Sequence, residues 1–299
     1  MIRSLLFVAL LAPALLGAEQ ADQLPAYLLQ VPASTAVVLV AETDTSILHR
    51  FGTVESGPQT RDERYMSVGQ NGVGKQRAWD RRTPLGIYFI NEQLDTSGLH
   101  EKYGPMAFPL DYPNVWDRLN ERSGTGIWIH GVAPNGGRRP PLDTDGCIAL
   151  PNDELLALEH QLVPLVTPVI ITRAIDWVSA EQIAATRAEI NDSLDLWAES
   201  QRRGDLYSYL SLYADDFSYR GMSRGEWAAY RLHSMNNAVV QGFALQDVLL
   251  LADPEDSGLY LSRFRQTIDD DGRTFVTTKR LYWRRSREGD LRIVAEDNG

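Results

Sequence analysis

Apolar and polar positions alternate in two different rhythms along this chain, and the change falls near residue 176. Ahead of it the apolar runs are short and β-branched. Ala36-Val37-Val38-Leu39-Val40-Ala41 has strand length, and Ser46 to Phe51 reads as its hairpin partner across Glu42-Thr43-Asp44-Thr45. Further strands are expected over 65–69, 86–90, 126–129 and 167–172. Helical spacing is scarce until 153–159, a short helix that Asn152 is placed to cap. Frequent Gly and Pro between short strands indicate a mainly β domain of two packed sheets over 34–175.

Beyond residue 176 the period becomes helical. Ile183, Ile190, Leu194 and Trp197 recur along one face of a helix spanning 179–203. Two shorter helices are expected at 206–213 and 224–235, the latter with Trp227 and Tyr230 on one face. Strands then follow at 238–251, 258–267, 273–284 and 290–295, the last two joined as a hairpin through Ser286-Arg287-Glu288-Gly289. Helices followed by an antiparallel sheet make 178–299 an α+β domain. Neither internal repeats nor low-complexity tracts interrupt this order.

The first residues follow a third pattern. A short positive start with Arg3 precedes an almost wholly apolar run, Leu5 to Leu16, and then the small pair Gly17-Ala18. This is the layout of a secretory signal peptide over 1–18, too short to span a bilayer as a stable helix. An uncleaved anchor is the alternative. A segment 19–33 links the leader to the first domain. Export implies a periplasmic location.

Formal charge is −11 over 299 residues. Such a surface repels phosphate backbones, and no basic stripe offsets it, so nucleic-acid binding is excluded. His49, His100, His160 and His233 lie in separate segments without ligand spacing. No metal site, and no cofactor of any kind, is therefore expected. Lys75, Asp80, Arg81 and Arg82 read as solvated loop charges.

The candidate chemistry centres on the one cysteine, Cys147, in Asp143-Thr144-Asp145-Gly146-Cys147-Ile148. A lone thiol in an exported chain forms no intrachain disulfide and is an oxidation liability unless its chemistry is used. His130, ending the strand-like Gly126-Ile127-Trp128-Ile129, is a candidate base for it, with Gly131 beside it. The amides of Gly146 and Cys147 are candidate oxyanion donors, and Thr144 a support for the turn. Asp143 and Asp145 raise a neighbouring thiol pKa, which Arg138 and Arg139 would offset unless they bind substrate carboxylates.

The His130-Gly131 pair and Thr144-Asp145-Gly146-Cys147-Ile148 resemble the signature of the L,D-transpeptidase catalytic domain family (YkuD type). Gly69, Lys75 and Arg82-Thr83-Pro84-Leu85-Gly86-Ile87-Tyr88 agree with that family's upstream pattern. So does Tyr103-Gly104-Pro105-Met106-Ala107-Phe108-Pro109-Leu110-Asp111-Tyr112-Pro113, a substrate-side segment in one branch, which makes Tyr112 a substrate-binding candidate. The resemblance covers about 34–173. It implies a β-sandwich and cysteine-dependent acyl transfer at L,D peptide bonds of peptidoglycan stem peptides, through a Cys147 thioester. The chain departs at Ala149, where many members carry Arg; this points to the L,D-carboxypeptidase branch, which trims tetrapeptide to tripeptide stems. The alternative is an inactive wall-binding module.

The C-terminal region, Leu194 to Phe217 above all, resembles the nuclear transport factor 2-like fold. That implies a cone with an apolar pocket, read as an accessory that binds a wall fragment, a second copy of the chain or a wall-protein partner. The pairing of the two domains is similar to that in cell-shape-determining L,D-carboxypeptidases.

Overall fold

The computed structural model describes residues 23–54, 57–236, 240–270 and 272–299. The expected leader and the first two positions of the strand expected at 238 lie outside them.

The N-terminal domain is a sandwich of two sheets. Val37–Glu42 has the apolar density of a strand covered on both faces, and all but its last residue are buried. It pairs antiparallel with Ile47–Val54 as the expected hairpin, and parallel with Pro168–Thr172. Gly57–Tyr65 and Gly86–Phe89 complete a five-stranded sheet. The second sheet runs in the order Ile148–Ala149, Trp128–His130, Met106–Pro109, Leu94–Asp95. Leu39, Leu48, Met66, Tyr88, Phe108, Ile129, Ile148 and Ile171 interlock between the sheets.

Three local expectations give way. The run 65–69 ends one strand at Tyr65 and resumes as the two-residue Val68–Gly69, which pairs with Leu142–Thr144 beside the cysteine loop. The helix expected at 153–159 shrinks to Asn152–Leu156, with Pro151 rather than Asn152 at its N-cap. A helical turn absent from the pattern, Val115–Leu119, is closed by a capping box between Asn114 and Asp117. Lys75 is not solvated: it is 4% exposed and its ammonium meets Asp80 at 2.7 Å. Against the penalty of burial, Lys75 and the amides of Gln76, Arg77 and Arg82 hold the Asp80 carboxyl down at about 2.

The C-terminal domain wraps a long sheet around the helix Ala180–Arg203. Its sheet order is Met222–Ser223, Tyr213–Tyr219, Leu291–Asp297, Arg273–Arg285, Leu259–Asp270, Val240–Ala252, Leu28–Gln30. Helices Leu206–Ser211 and Arg224–Asn236 close the cone. Trp197, Tyr209, Tyr213, Phe264 and Trp283 fill it. Trp227 is buried and Tyr230 stacks on it from an exposed position.

The last strand of that sheet comes from the opposite end of the sequence. Gln23–Pro25 pairs with Trp177–Ser179, and Leu28–Gln30 joins Val240–Ala252. A third apolar cluster, including Tyr27, Leu28, Val38, Phe51, Ile170, Leu249, Leu261 and Tyr282, draws on both domains. The two domains therefore share a core instead of being beads on a linker. Arg280 crosses the same boundary, donating to Asp111 at 2.5 Å while its other nitrogens hold Asp297.

Candidate active site

Cys147 and His130 come together through strand register. Trp128–His130 and Ile148–Ala149 are parallel neighbours with His130 opposite Ala149. Side chains alternate across a strand, so Ile129, Ile148 and Leu150 enter the sandwich core. His130, Ala149 and Cys147, two residues before Ala149, then share the other face. The rhythm that builds the core thus brings the histidine and the cysteine loop to the same end of two paired strands.

Each group is held by backbone. His130 Nδ1 lies 2.6 Å from the Gly131 carbonyl, a distance that assigns the proton to Nδ1 and leaves Nε2 as an acceptor. Tyr103 packs edge-on to the imidazole at 5.2 Å and against Trp128 at 4.9 Å. Cys147 Sγ donates to the Gly126 carbonyl at 3.3 Å. Burial pushes the thiol up to about 11 and the imidazole down to about 4. Lys102 and Arg139 are the nearby cations that favour a thiolate; Asp145 opposes it. At neutral pH both groups are uncharged.

The turn before the cysteine requires glycine. Gly146 has φ of 123°, and a Cβ there would stand 2.7 Å from the Arg82 carbonyl oxygen. Thr144 Oγ1 accepts from the Gly146 N–H at 3.1 Å and donates to the Cys147 carbonyl at 2.7 Å. This corrects the expectation for Gly146: its amide is committed to Thr144, and the Cys147 amide remains as the oxyanion candidate of the pair. Gly131 is required for another reason. A Cβ there would lie 2.3 Å from Asn152 Oδ1.

Residues 37–171 match the family model described as YkuD, L,D-transpeptidase catalytic domain; residues 189–297 match the Cds6 C-terminal NTF2-like domain. The N-terminal domain is an L,D-transpeptidase catalytic domain. Among solved structures, the chain is similar to Bd1075 of Bdellovibrio bacteriovorus, with TM-score 0.77 and 23% identity over 93% of this chain and 98% of that one. It is also similar to the helical cell shape determining protein Pgp2 of Campylobacter jejuni, with TM-score 0.72 and 26% identity over 88% and 91%. None of the curated protein sequences compared matches the chain. Two family descriptions thus account for most of the chain, an L,D-transpeptidase catalytic domain followed by an NTF2-like domain.

Within the L,D-transpeptidase domain the remaining candidates separate. Arg139 lies beside the site but is held by Asp143, through its carboxylate at 2.9 Å and its carbonyl at 2.9 Å. Arg138 lies over the Tyr65 ring at 3.5 Å and is exposed. Tyr112 is not at the cleft: it is 5% exposed, packs on Tyr88 and donates to the Ser123 carbonyl. Its apolar neighbours Leu110 and Phe108 bury the segment that carries it, and that packing takes Tyr112 inward.

Two further residues support the site, Asn152 and Tyr103, the latter open between packing and lining the cleft on sequence grounds. Asn152 reads as a helix cap, but its amide clamps Val132 from both sides, at 2.8 Å and 3.0 Å, and thereby fixes the His130-Gly131 loop. Tyr103 both stacks on His130 and accepts from the Gly131 N–H through its carbonyl at 3.0 Å. The glycine-proline that follows Tyr103 was the available signal for a fixed turn there.

Proposed function

We propose that this protein is a periplasmic enzyme that opens L,D peptide bonds of peptidoglycan stem peptides through a thioester on Cys147. The observation that carries this reading is the placement of Cys147 directly before the strand Ile148–Ala149, which runs parallel to the strand ending in His130, with His130 Nδ1 tied to a carbonyl so that Nε2 is available as base. A neutral pair sets the order of events. As Sγ bonds to the substrate carbonyl carbon, the thiol proton passes to His130 Nε2, and negative charge develops on the carbonyl oxygen near the Cys147 N–H. Collapse of that intermediate breaks the C–N bond, and His130 returns the proton to the departing amine. The acyl group then passes from sulfur to an amine or to water, which regenerates the thiol.

Water as acceptor, a carboxypeptidase reaction, is the second reading. Ala149 favours it: the position where many relatives carry Arg is a buried methyl group whose backbone pairs with Ser67. Lys102 and Arg139, paired with Asp145 and Asp143, are the nearby cations that could exchange those partners for the stem's terminal carboxylate. Similarity to a cell-shape-determining protein favours a role in trimming the wall rather than in building it. Export through the leader at 1–18 belongs to the same proposal.

The test is incubation of the purified protein, with Cys147→Ala alongside, with disaccharide-tetrapeptide, followed by mass spectrometry. Loss of terminal D-alanine to give tripeptide identifies the carboxypeptidase; a dimer or an exchanged D-amino acid identifies the transpeptidase. Equal inertness of both proteins sinks the catalytic reading and leaves a wall-binding module.

A further inference from the structure

The proposed reaction makes no use of the turn that carries Trp79, and this turn is built in an unusual way. Trp79 is 95% exposed and has φ of 65°. In the left-handed region glycine or asparagine is the low-energy choice and a bulky side chain is disfavoured. A fully exposed indole also gains nothing from burial. Neither the backbone nor the core accounts for a tryptophan at this position.

The turn is nevertheless rigid. The Asp80 carboxylate accepts from the amides of Gln76, Arg77 and Arg82 at 2.8, 3.1 and 3.1 Å. Buried Lys75 binds that carboxylate and donates to the Arg77 carbonyl at 3.2 Å. Asn71 holds the Asp80 carbonyl at 2.9 Å, and Ser123 holds that of Gln76 at 3.0 Å. The same arm is fastened to the candidate site: Thr83 Oγ1 donates to the Gly146 carbonyl at 2.9 Å, and Arg81 lies 3.9 Å from Asp145. Arg77, Arg81 and Arg82 are exposed on the same turn, Arg82 also donating to the Val73 carbonyl at 3.0 Å. The whole is a hydrogen-bonded turn that presents an exposed indole, with arginines on the same turn, on an arm fastened to the loop that holds Cys147.

A flat ring face with flanking cations suits a ligand that offers an apolar C–H face and carboxylates. A strand of pyranose rings bearing acidic peptides offers both, the sugars the C–H face and the peptides the carboxylates. Taking the polymer's identity from the proposed function, we infer that Trp79 stacks on a sugar ring of the glycan strand that bears the stem peptide. Arg77, Arg81 and Arg82 meet carboxylates on the same polymer. Trp79 then positions the stem for the cleft without touching the scissile bond.

The test uses the full chain and peptide-free glycan strands of alternating N-acetylglucosamine and N-acetylmuramic acid, with binding read by titration calorimetry. Trp79→Gly and Trp79→Asn suit the turn's backbone, so both variants should melt at or above the wild-type temperature. Each should weaken glycan binding by about tenfold, the scale of a well-formed aromatic stack. The loss should persist at high salt, where the arginine contribution is screened. Unchanged affinity in these variants overturns the inference, as does failure of the wild type to bind glycan. If the variants instead lose only binding to phosphatidylglycerol vesicles, the ring is a membrane contact and the inference also falls. Turnover of free stem peptide, measured in parallel, depends on Cys147 and not on Trp79, so failure of the enzymatic reading shows separately.

Discussion

Cys147 and His130 are buried without charge, and this makes the pH response of the fold specific. The imidazole sits at about 4 against a usual 6.5, so on acidification through that interval the unfolded chain takes up a proton that the folded chain refuses. Stability therefore falls as pH drops below about 6.5 and continues to fall until about 4. The thiol, raised from 9.0 to about 11, acts on the alkaline side. There the unfolded chain loses its proton first, and stability declines as pH rises from about 9 to about 11. Two pH units correspond to at most about 3 kcal/mol. Cys147→Ala is expected to flatten that alkaline decline while leaving the acid side intact, in denaturant titrations across pH. A mutant curve parallel to wild type above pH ~9 would mean that the thiol already ionises easily in the folded protein.

A single strand does two jobs in the C-terminal domain because its faces alternate. Along Arg273–Arg285, Lys279 points into the cone, where it meets Glu296 at 3.2 Å. Arg280 points the other way and binds both Asp297 of its own sheet and Asp111 of the sandwich. Asp111 in turn accepts from the Phe89 amide at 2.8 Å, next to the strand that borders Pro168–Thr172. Arg280→Ala leaves two largely buried carboxylates without their cation, a change that typically costs about 3–5 kcal/mol. The expected result is a matching loss in guanidinium unfolding free energy, largely restored when Asp111→Asn is added. A loss below about 1 kcal/mol would class Arg280 with ordinary surface pairs.

At the scale of the molecule, residues 23–31 stitch the two domains together. Tyr27 donates to the Ala174 carbonyl at 3.0 Å, and its own carbonyl accepts from Ala252 at 2.9 Å. Tyr27, Leu28, Leu29 and Val31 are each less than 9% exposed. Their burial contributes on the order of 6 kcal/mol, an upper figure because the unfolded chain is itself partly collapsed. That is comparable to the whole stability of an ordinary domain. Deleting 23–31 should expose the shared cluster and replace one cooperative melt by an early, aggregating one in scanning calorimetry. A variant that melts once, at the wild-type temperature, would show the strap to be dispensable.

Local chemistry made the first hairpin and the strands at 86–89, 128–130 and 168–172 of the sandwich legible, with the long helix and the hairpin at 286–289, because period and turn residues act over a few positions. The His130-Gly131 and Thr144-to-Ile148 runs were legible for a related reason. Glycine at 146 answers a close backbone approach, and glycine at 131 a close approach of the Asn152 and Pro105 side chains. Other features depend on partners far away in the chain. Tyr112 looks like a cleft residue until Tyr88 and Phe108 enclose it, and Lys75 looks solvated until Asp80 accompanies it inside. Asn152 acts on Val132, twenty positions earlier, rather than on the helix it opens. The strap at 23–31 contains too few residues to show a period and takes its form from strands at 177–179 and 240–252. Sequence alone thus indicated many of the elements and the candidate pair, whose signals are local. Only the tertiary structure decided which amides are free, which charges are buried and where the domains join, because burial and long-range hydrogen bonds are properties of the packed chain.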